Sequence, residues 1–179
     1  LYHRWIDEKI EPPVPLSQIS NVNFHCSPAA VKQGEDDYLL KSVTGTASFR
    51  FGKWFDTFFS NSGVKVIVGK GGLTSDDYKK LFVPHGAVYL TTVGYGLGAT
   101  YGHAVKSVSN VHWLEELGIA QAMWVLEVEQ MGPFIVEGDP QGNSLFELSN
   151  ERINEQLDDV YRGLPQPVLK RYGEETDRH

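Results

Sequence analysis

The chain has 179 residues, 41% hydrophobic and 12% aromatic, and carries a formal charge of −7. That apolar fraction is ample for the buried core of one domain. The negative charge excludes a general nucleic-acid binder, because phosphates need a cationic surface to neutralise them, but it leaves room for a local cationic pocket that takes a small anion. The one cysteine, Cys26, rules out a disulfide framework within the chain and cannot by itself hold a zinc ion or an iron–sulfur cluster. Its expected role is a buried structural thiol, and sparing cysteine use points to a reducing, cytoplasmic compartment. No apolar run reaches the ~18 residues of a membrane helix, and no signal peptide is visible.

The opening residues Leu1-Tyr2-His3-Arg4-Trp5 read as mid-helix, so further residues are expected upstream. The helix over residues 2–9 is stopped by Pro12-Pro13, since proline lacks an amide proton and biases its predecessor away from helix. Alternation of Val22, Phe24 and Cys26 predicts a strand over residues 22–26, followed by a turn at Gly34-Glu35-Asp36-Asp37 and a strand over residues 38–43. Phe51, Trp54, Phe55, Phe58 and Phe59 fall at helical spacing and predict an amphipathic helix ended by Gly63. Residues 64–68 read as a buried strand running into Gly69-Lys70-Gly71-Gly72. Thr74-Ser75-Asp76-Asp77 then looks like the cap and acidic first turn of a helix through Leu81. A further buried strand over residues 87–93 leads into Gly94-Tyr95-Gly96-Leu97-Gly98 and a helix to about Ser107. Strands over residues 111–114, 122–128 and 134–137 follow, with a turn at Asp139-Pro140-Gln141-Gly142-Asn143 and a last helix over residues 150–161. The result is one α/β domain with a mixed sheet over residues 1–161 and a polar tail over 162–179.

Three segments could carry chemistry. In Thr44-Gly45-Thr46-Ala47-Ser48-Phe49-Arg50, Thr46 or Ser48 is placed to cap the aromatic helix, and Arg50 adds a planar fork suited to a carboxylate. The bland reading is a simple cap beside a surface arginine. Gly69-Lys70-Gly71-Gly72 lies where a buried strand ends, the usual place for a ligand in an α/β sheet. It is not a phosphate-binding P-loop, because the first glycine of that motif is absent and Gly71 follows the lysine. The bland alternative is a turn with a solvated lysine. Gly94-x-Gly96-x-x-Ala99 is a weak match to a dinucleotide fingerprint, with tight helix–strand packing as the alternative. The six histidines show no helical metal-pair spacing, and His85, ahead of a buried strand, is the one most open to a special role.

The order and spacing of three segments resemble the β subunit, or C-terminal domain, of class I fumarases and L-tartrate dehydratases. They are Thr46-Ala47-Ser48-Phe49-Arg50, the run from Gly63 to Leu73 containing Gly69-Lys70-Gly71-Gly72, and Val111-His112-Trp113-Leu114-Glu115-Glu116-Leu117-Gly118-Ile119 leading to Trp124. The likeness continues through Gly132-Pro133-Phe134 and Asp139-Pro140-Gln141-Gly142-Asn143, covering residues 3–148. It implies a swivelling β/β/α domain that closes over a substrate pocket built by a separate, cysteine-bearing α subunit. There a [4Fe–4S] cluster, bound by the partner subunit rather than this chain, leaves one iron open to substrate. By resemblance, Thr46 matches the family's catalytic, proton-accepting or substrate-positioning threonine. Arg50 and Lys70 match its substrate-binding arginine and lysine, and this chain supplies no metal ligand.

Two departures stand out. The family's Gly-Pro-Thr-Thr is here Thr44-Gly45-Thr46-Ala47, and a further family arginine would lie upstream of His3. The expected function is therefore that of a β subunit in a heterodimeric or heterotetrameric hydro-lyase, reversibly hydrating a C4 dicarboxylate, with fumarate and (S)-malate put first. L-tartrate dehydratase, or a non-catalytic module for a small dicarboxylate, is the alternative.

Overall fold

The computed structural model describes residues 1–35 and 37–165. Most of the expected polar tail, residues 166–179, lies outside the described residues. The strands are β1 (Val22–Phe24), β2 (Cys26–Lys32), β3 (Tyr38–Gly45), β4 (Val66–Gly69), β5 (Val88–Thr92), β6 (Val105–His112), β7 (Met123–Val128) and β8 (Phe134–Gly138). The α-helices are α1 (Leu16–Ile19), α2 (Gly52–Ser62), α3 (Ser75–Asp77), α4 (Gly98–His103), α5 (Leu114–Leu117), α6 (Leu145–Asn154) and α7 (Leu157–Tyr161).

The central sheet has the order β1-β4-β5-β8. The first three strands run parallel, with Val22 opposite Val66 and Val68 opposite Leu90, while β8 runs antiparallel and sets Ile135 opposite Thr91. The mixed α/β architecture expected from the sequence is thus present. Antiparallel ribbons β2–β3 and β6–β7 stand apart from the sheet. One sheet face is covered by α2 and by the helical run 75–85, around Phe55, Phe58, Phe59, Ile67, Tyr78, Phe82 and Tyr89, all 2% exposed or less. The other side centres on Leu40, Val43 and Tyr101, with Phe24, Val105, Val108, Trp124 and Phe134 packed around them. Strands β4 and β5 are the two inner strands of the sheet, and their Ile67 and Tyr89 lie in the first core.

Local chemistry sets several boundaries as expected. The aromatic stripe of α2 faces the sheet, and the helix ends at Gly63, whose φ of 73° is a left-handed closure. Thr74 forms a capping box with Asp77: its Oγ1 accepts from the Asp77 amide at 3.2 Å, and Asp77 Oδ2 accepts from the Thr74 amide at 2.9 Å. Asp139 closes its turn by accepting from the amides of Gln141 at 2.9 Å and Asn143 at 2.8 Å.

Elsewhere the structure departs from the pattern. Residues 27–32, left unassigned by alternation, form β2, which pairs only with β3 and so needs no continuous apolar face. The helix expected to reach Ser107 stops at His103, and β6 starts two residues later. Val105, Val108 and Val111 recur every third residue, which imitates a helix. Bulges between Val105 and Ser107, and between Val108 and Asn110, each add a residue to the strand and produce the same spacing. The strand expected over residues 111–114 ends at His112, and Trp113 adopts a left-handed conformation that opens α5. The single helix expected over residues 150–161 is divided into α6 and α7, and α6 begins earlier, at Leu145, where Ser144 Oγ accepts from the Glu147 amide at 3.4 Å. No helix among the described residues is long and apolar enough to cross a membrane.

Candidate functional site

The chain leaves β3 at Gly45 and β4 at Gly69, and the two following segments are laced together by backbone hydrogen bonds. The Lys70 amide donates to the Thr46 carbonyl at 3.0 Å, and the Ser48 amide donates to the Gly71 carbonyl at 3.0 Å. The Thr46 amide in turn donates to the His25 carbonyl at 2.7 Å. Gly71 and Gly72 hold φ values of 73° and 95°, which side-chain-bearing residues rarely adopt, so the turn that presents Lys70 depends on them. The three residues singled out in the sequence are thereby brought to one place.

Neither Thr46 nor Ser48 caps the aromatic helix. A 3₁₀ turn, Phe49–Phe51, precedes α2, and neither that turn nor α2 has a side-chain cap. The Thr46 hydroxyl is engaged differently: Arg50 Nη2 donates to Thr46 Oγ1 at 2.8 Å. A guanidinium donating to that oxygen favours the deprotonated hydroxyl and fixes its orientation. Thr46 is half-buried, while Arg50 and Lys70 are exposed. Lys70 also borders a shallow cleft formed with Thr44, Gly45, Thr92 and Gly94. Phe49, 60% exposed, stands next to Arg50 in the chain and against Gly72.

Beneath this surface runs a buried polar chain that the sequence did not reveal. Tyr2 Oη lies 2.6 Å from His25 Nε2, His25 Nδ1 lies 2.8 Å from Ser48 Oγ, and Ser48 Oγ lies 2.8 Å from Tyr89 Oη. Tyr89 Oη then accepts from the Gly71 amide at 2.9 Å. Burial, and secondarily the Arg50 charge, pushes His25 down from 6.5 to about 3, so it is neutral. Burial likewise raises Tyr89 to about 12. Glu137, 2% exposed, accepts from Tyr78 Oη at 3.0 Å, and its other oxygen lies under Gly71 with no hydrogen-bond partner among the described residues. Burial raises the Glu137 carboxyl, partly offset by the hydrogen bond from Tyr78.

The remaining candidates are structural. His85 Nε2 lies 2.9 Å from Asp56 Oδ1, its carbonyl accepts from Lys65 Nζ at 2.6 Å, and its ring lies against Phe59, on the helical layer. The Gly94 loop is no dinucleotide fold: β6, which follows α4, pairs antiparallel with β7 and makes no parallel crossover into the sheet. Cys26 belongs to the second core, and burial pushes its thiol up to about 12, which keeps it protonated. Among the described residues no three His, Cys, Asp or Glu side chains gather as metal ligands, so these residues do not fit an iron–sulfur cluster.

The mixed sheet, with the Thr46–Arg50 segment and the Lys70 loop tied together by their backbones where β3 and β4 end, defines an α/β domain of the open-sheet class. Residues 1–149 match the family model described as Fumarase C-terminus, and the chain belongs to that family, as a β-type member of the class I fumarase and tartrate dehydratase group. Its similarity extends to "Putative L(+)-tartrate dehydratase subunit beta" of Methanocaldococcus jannaschii, 34% identical over 85% of this chain and 76% of that protein. L(+)-tartrate dehydratase subunit beta of Escherichia coli K12 is 31% identical over 88% of this chain and 76% of its own length. "Putative fumarate hydratase class I" of Geobacillus stearothermophilus is 31% identical over 82% of this chain, which corresponds to 27% of that longer protein.

Proposed function

We propose that this chain is the β-type subunit of a two-chain hydro-lyase acting on a C4 dicarboxylate, with (S)-malate and fumarate as the leading substrate pair. The observation that carries this reading is the Arg50–Thr46 hydrogen bond at 2.8 Å, on a segment tied by its backbone to the Lys70 loop. One cation on an oriented hydroxyl, with a second cationic residue on the loop tied to it, suits a dianion that must lose a proton from carbon. L-tartrate is the second reading, favoured because the relatives of similar domain length are named as tartrate dehydratase subunits. The same names support a partner α subunit. In this proposal that cysteine-bearing partner holds the [4Fe–4S] cluster, and the assembly is a heterodimer or heterotetramer.

What this chain contributes is charge, position and a proton acceptor. Arg50 and Lys70 offset the substrate's two carboxylates and fix its orientation. As the proton leaves the carbon next to a carboxylate, negative charge builds on that carboxylate, and a preorganised cation stabilises it more than it stabilises the ground state. Thr46, its own proton first given up to solvent, takes the departing proton as the alkoxide that the Arg50 guanidinium favours, and ends as the neutral hydroxyl. The exposed Phe49 and Arg50 leave the site open on one side, where a partner chain would complete the pocket.

Anaerobic assay of the co-expressed two-chain complex on fumarate, malate and tartrate tests this. Arg50→Ala and Lys70→Ala should leave folding nearly unchanged and each lower kcat/KM by at least about 10²-fold, the scale of one preorganised charged contact. Thr46→Ala should lower kcat about 10²–10⁴-fold with a smaller change in KM. Near-native activity in all three variants would place the chemistry elsewhere.

A further inference from the structure

The proton positions in the buried polar chain can be assigned by counting donors and acceptors. The Gly71 amide can only donate, so Tyr89 Oη accepts from it. Among the described residues, the proton of Tyr89 then has one acceptor within reach, Ser48 Oγ at 2.8 Å. Ser48 must pass its own proton to His25 Nδ1, also at 2.8 Å, so the imidazole carries its hydrogen on Nε2. That nitrogen donates to Tyr2 Oη at 2.6 Å, and Tyr2 donates to Asn23 Oδ1 at 3.3 Å. Every proton finds an acceptor. With the other tautomer, Ser48 would donate to Tyr89, the Tyr89 proton would be left buried without a partner, and Asn23 would lose its donor. The route is one-way from Gly71 to Asn23, the arrangement in which successive hydrogen bonds polarise one another.

We propose that His25, Ser48 and Tyr89 form a one-way hydrogen-bond relay that locks the segment bearing Thr46 and Arg50 to the loop bearing Lys70, making Ser48 and His25 positioning residues of the anion site. The relay passes through the two elements it joins: Ser48 sits between Thr46 and Arg50, and Gly71 is next to Lys70. Its end on a backbone amide rules out a proton-shuttle role, because an amide cannot feed protons along the route. Space is reserved for it as well. A Cβ at Gly69 would lie 2.3 Å from Ser48 Oγ and 2.4 Å from Tyr89 Oη, so only glycine lets the two hydroxyls meet. Tyr2 anchors the far end, its ring stacked on Phe51 with centroids 5.3 Å apart.

The inference rests on the dicarboxylate reading of the site, and two measurements keep the two separable. On the chain itself, ¹⁵N NMR should show His25 as the neutral Nε2–H tautomer. Amide exchange at Gly71 should accelerate at least about tenfold in Ser48→Ala, with the central β5 amides unaffected. On the two-chain complex, Ser48→Ala should lower kcat/KM about 10–30-fold, and the loss should be non-additive with Lys70→Ala, the double variant falling no more than about threefold below Lys70→Ala alone. Tyr2→Phe, which deletes only the far oxygen and keeps the ring, should move Gly71 exchange in the same direction by less, and serves if Ser48→Ala fails to fold. An Nδ1–H tautomer, unchanged Gly71 exchange or fully additive losses would overturn the relay. A wild-type complex inactive on every diacid would instead sink the dicarboxylate reading, with tautomer and exchange still deciding the relay.

Discussion

Protonating His25 would place a charge against Tyr2, Phe51 and Phe55, and would also put a hydrogen on Nδ1, the acceptor that Ser48 needs. Burial first and the Arg50 charge second hold this group down from 6.5 to about 3. The unfolded chain therefore takes up a proton here below pH 6.5, while the folded chain does not until about 3. Stability from His25 is complete above pH 6.5 and is lost as pH falls through that window, by as much as ~5 kcal/mol. Glu137 acts in the opposite sense. Its carboxyl is raised by burial, so its ionised form costs stability at neutral pH, and that cost disappears as pH falls through its folded value. Urea denaturation as a function of pH should show Glu137→Gln gaining stability at pH 7, and His25→Gln losing less than wild type between pH 6.5 and 4. A wild-type profile flat across that range would contradict the buried, neutral histidine. Neither residue was legible in the sequence. His25 falls on the opposite parity from Val22, Phe24 and Cys26, which alternation assigns to solvent, and only the folding of Tyr2, Phe51 and Phe55 over that face buries it.

Two close approaches between elements depend on glycine. At Gly69, the last residue of β4, a methyl group would strike both relay hydroxyls, and at Gly102 of α4 it would lie 2.8 Å from the Lys41 backbone and from Ser42 Cα on β3. Overpacking at backbone contacts costs typically about 1–3 kcal/mol. Gly69→Ala and Gly102→Ala should therefore both lower the thermal midpoint. Gly69→Ala should in addition speed Gly71 amide exchange, while Gly102→Ala should leave it unchanged, because α4 packs on β3 away from the relay. Equal exchange behaviour in the two variants would argue against a specific link through Ser48 and Tyr89. Elements whose period matched their packing were readable: the aromatic stripe of α2, the apolar β4 and β5, and the Thr74 capping box. The β6 strand was not, because its two bulges turn a two-residue repeat into a three-residue one. The 46–50 and 69–72 segments were legible as candidates. Their backbone bonds to each other are contacts over more than twenty residues, which no local pattern encodes.

For the molecule as a whole, the proposed two-chain hydro-lyase divides its labour by ligands. A cubane cluster with one open iron needs three thiolates, and the full sequence contains one cysteine, so this chain by itself cannot satisfy that requirement. The lone thiol is further disqualified by its place. Cys26 packs in the core with Leu40, Val43 and Tyr101, and burial pushes it up to about 12, whereas a metal ligand must be deprotonated. The charged groups of the site lie instead on the surface, on the two segments joined by the relay, with Phe49 exposed beside them. A surface that offers cations and an apolar side chain but no thiolate suits a half-site that becomes a pocket only against a second chain. Anaerobic reconstitution with iron and sulfide should therefore leave the isolated chain colourless, with iron far below one cluster per chain, and the complex with a cysteine-bearing partner brown. Cys26→Ala should leave the cluster content of that complex unchanged, since the thiol serves only packing. A stoichiometric cluster on the isolated chain, or loss of the cluster in the Cys26→Ala complex, would show that this chain supplies ligands and would overturn the two-chain assignment.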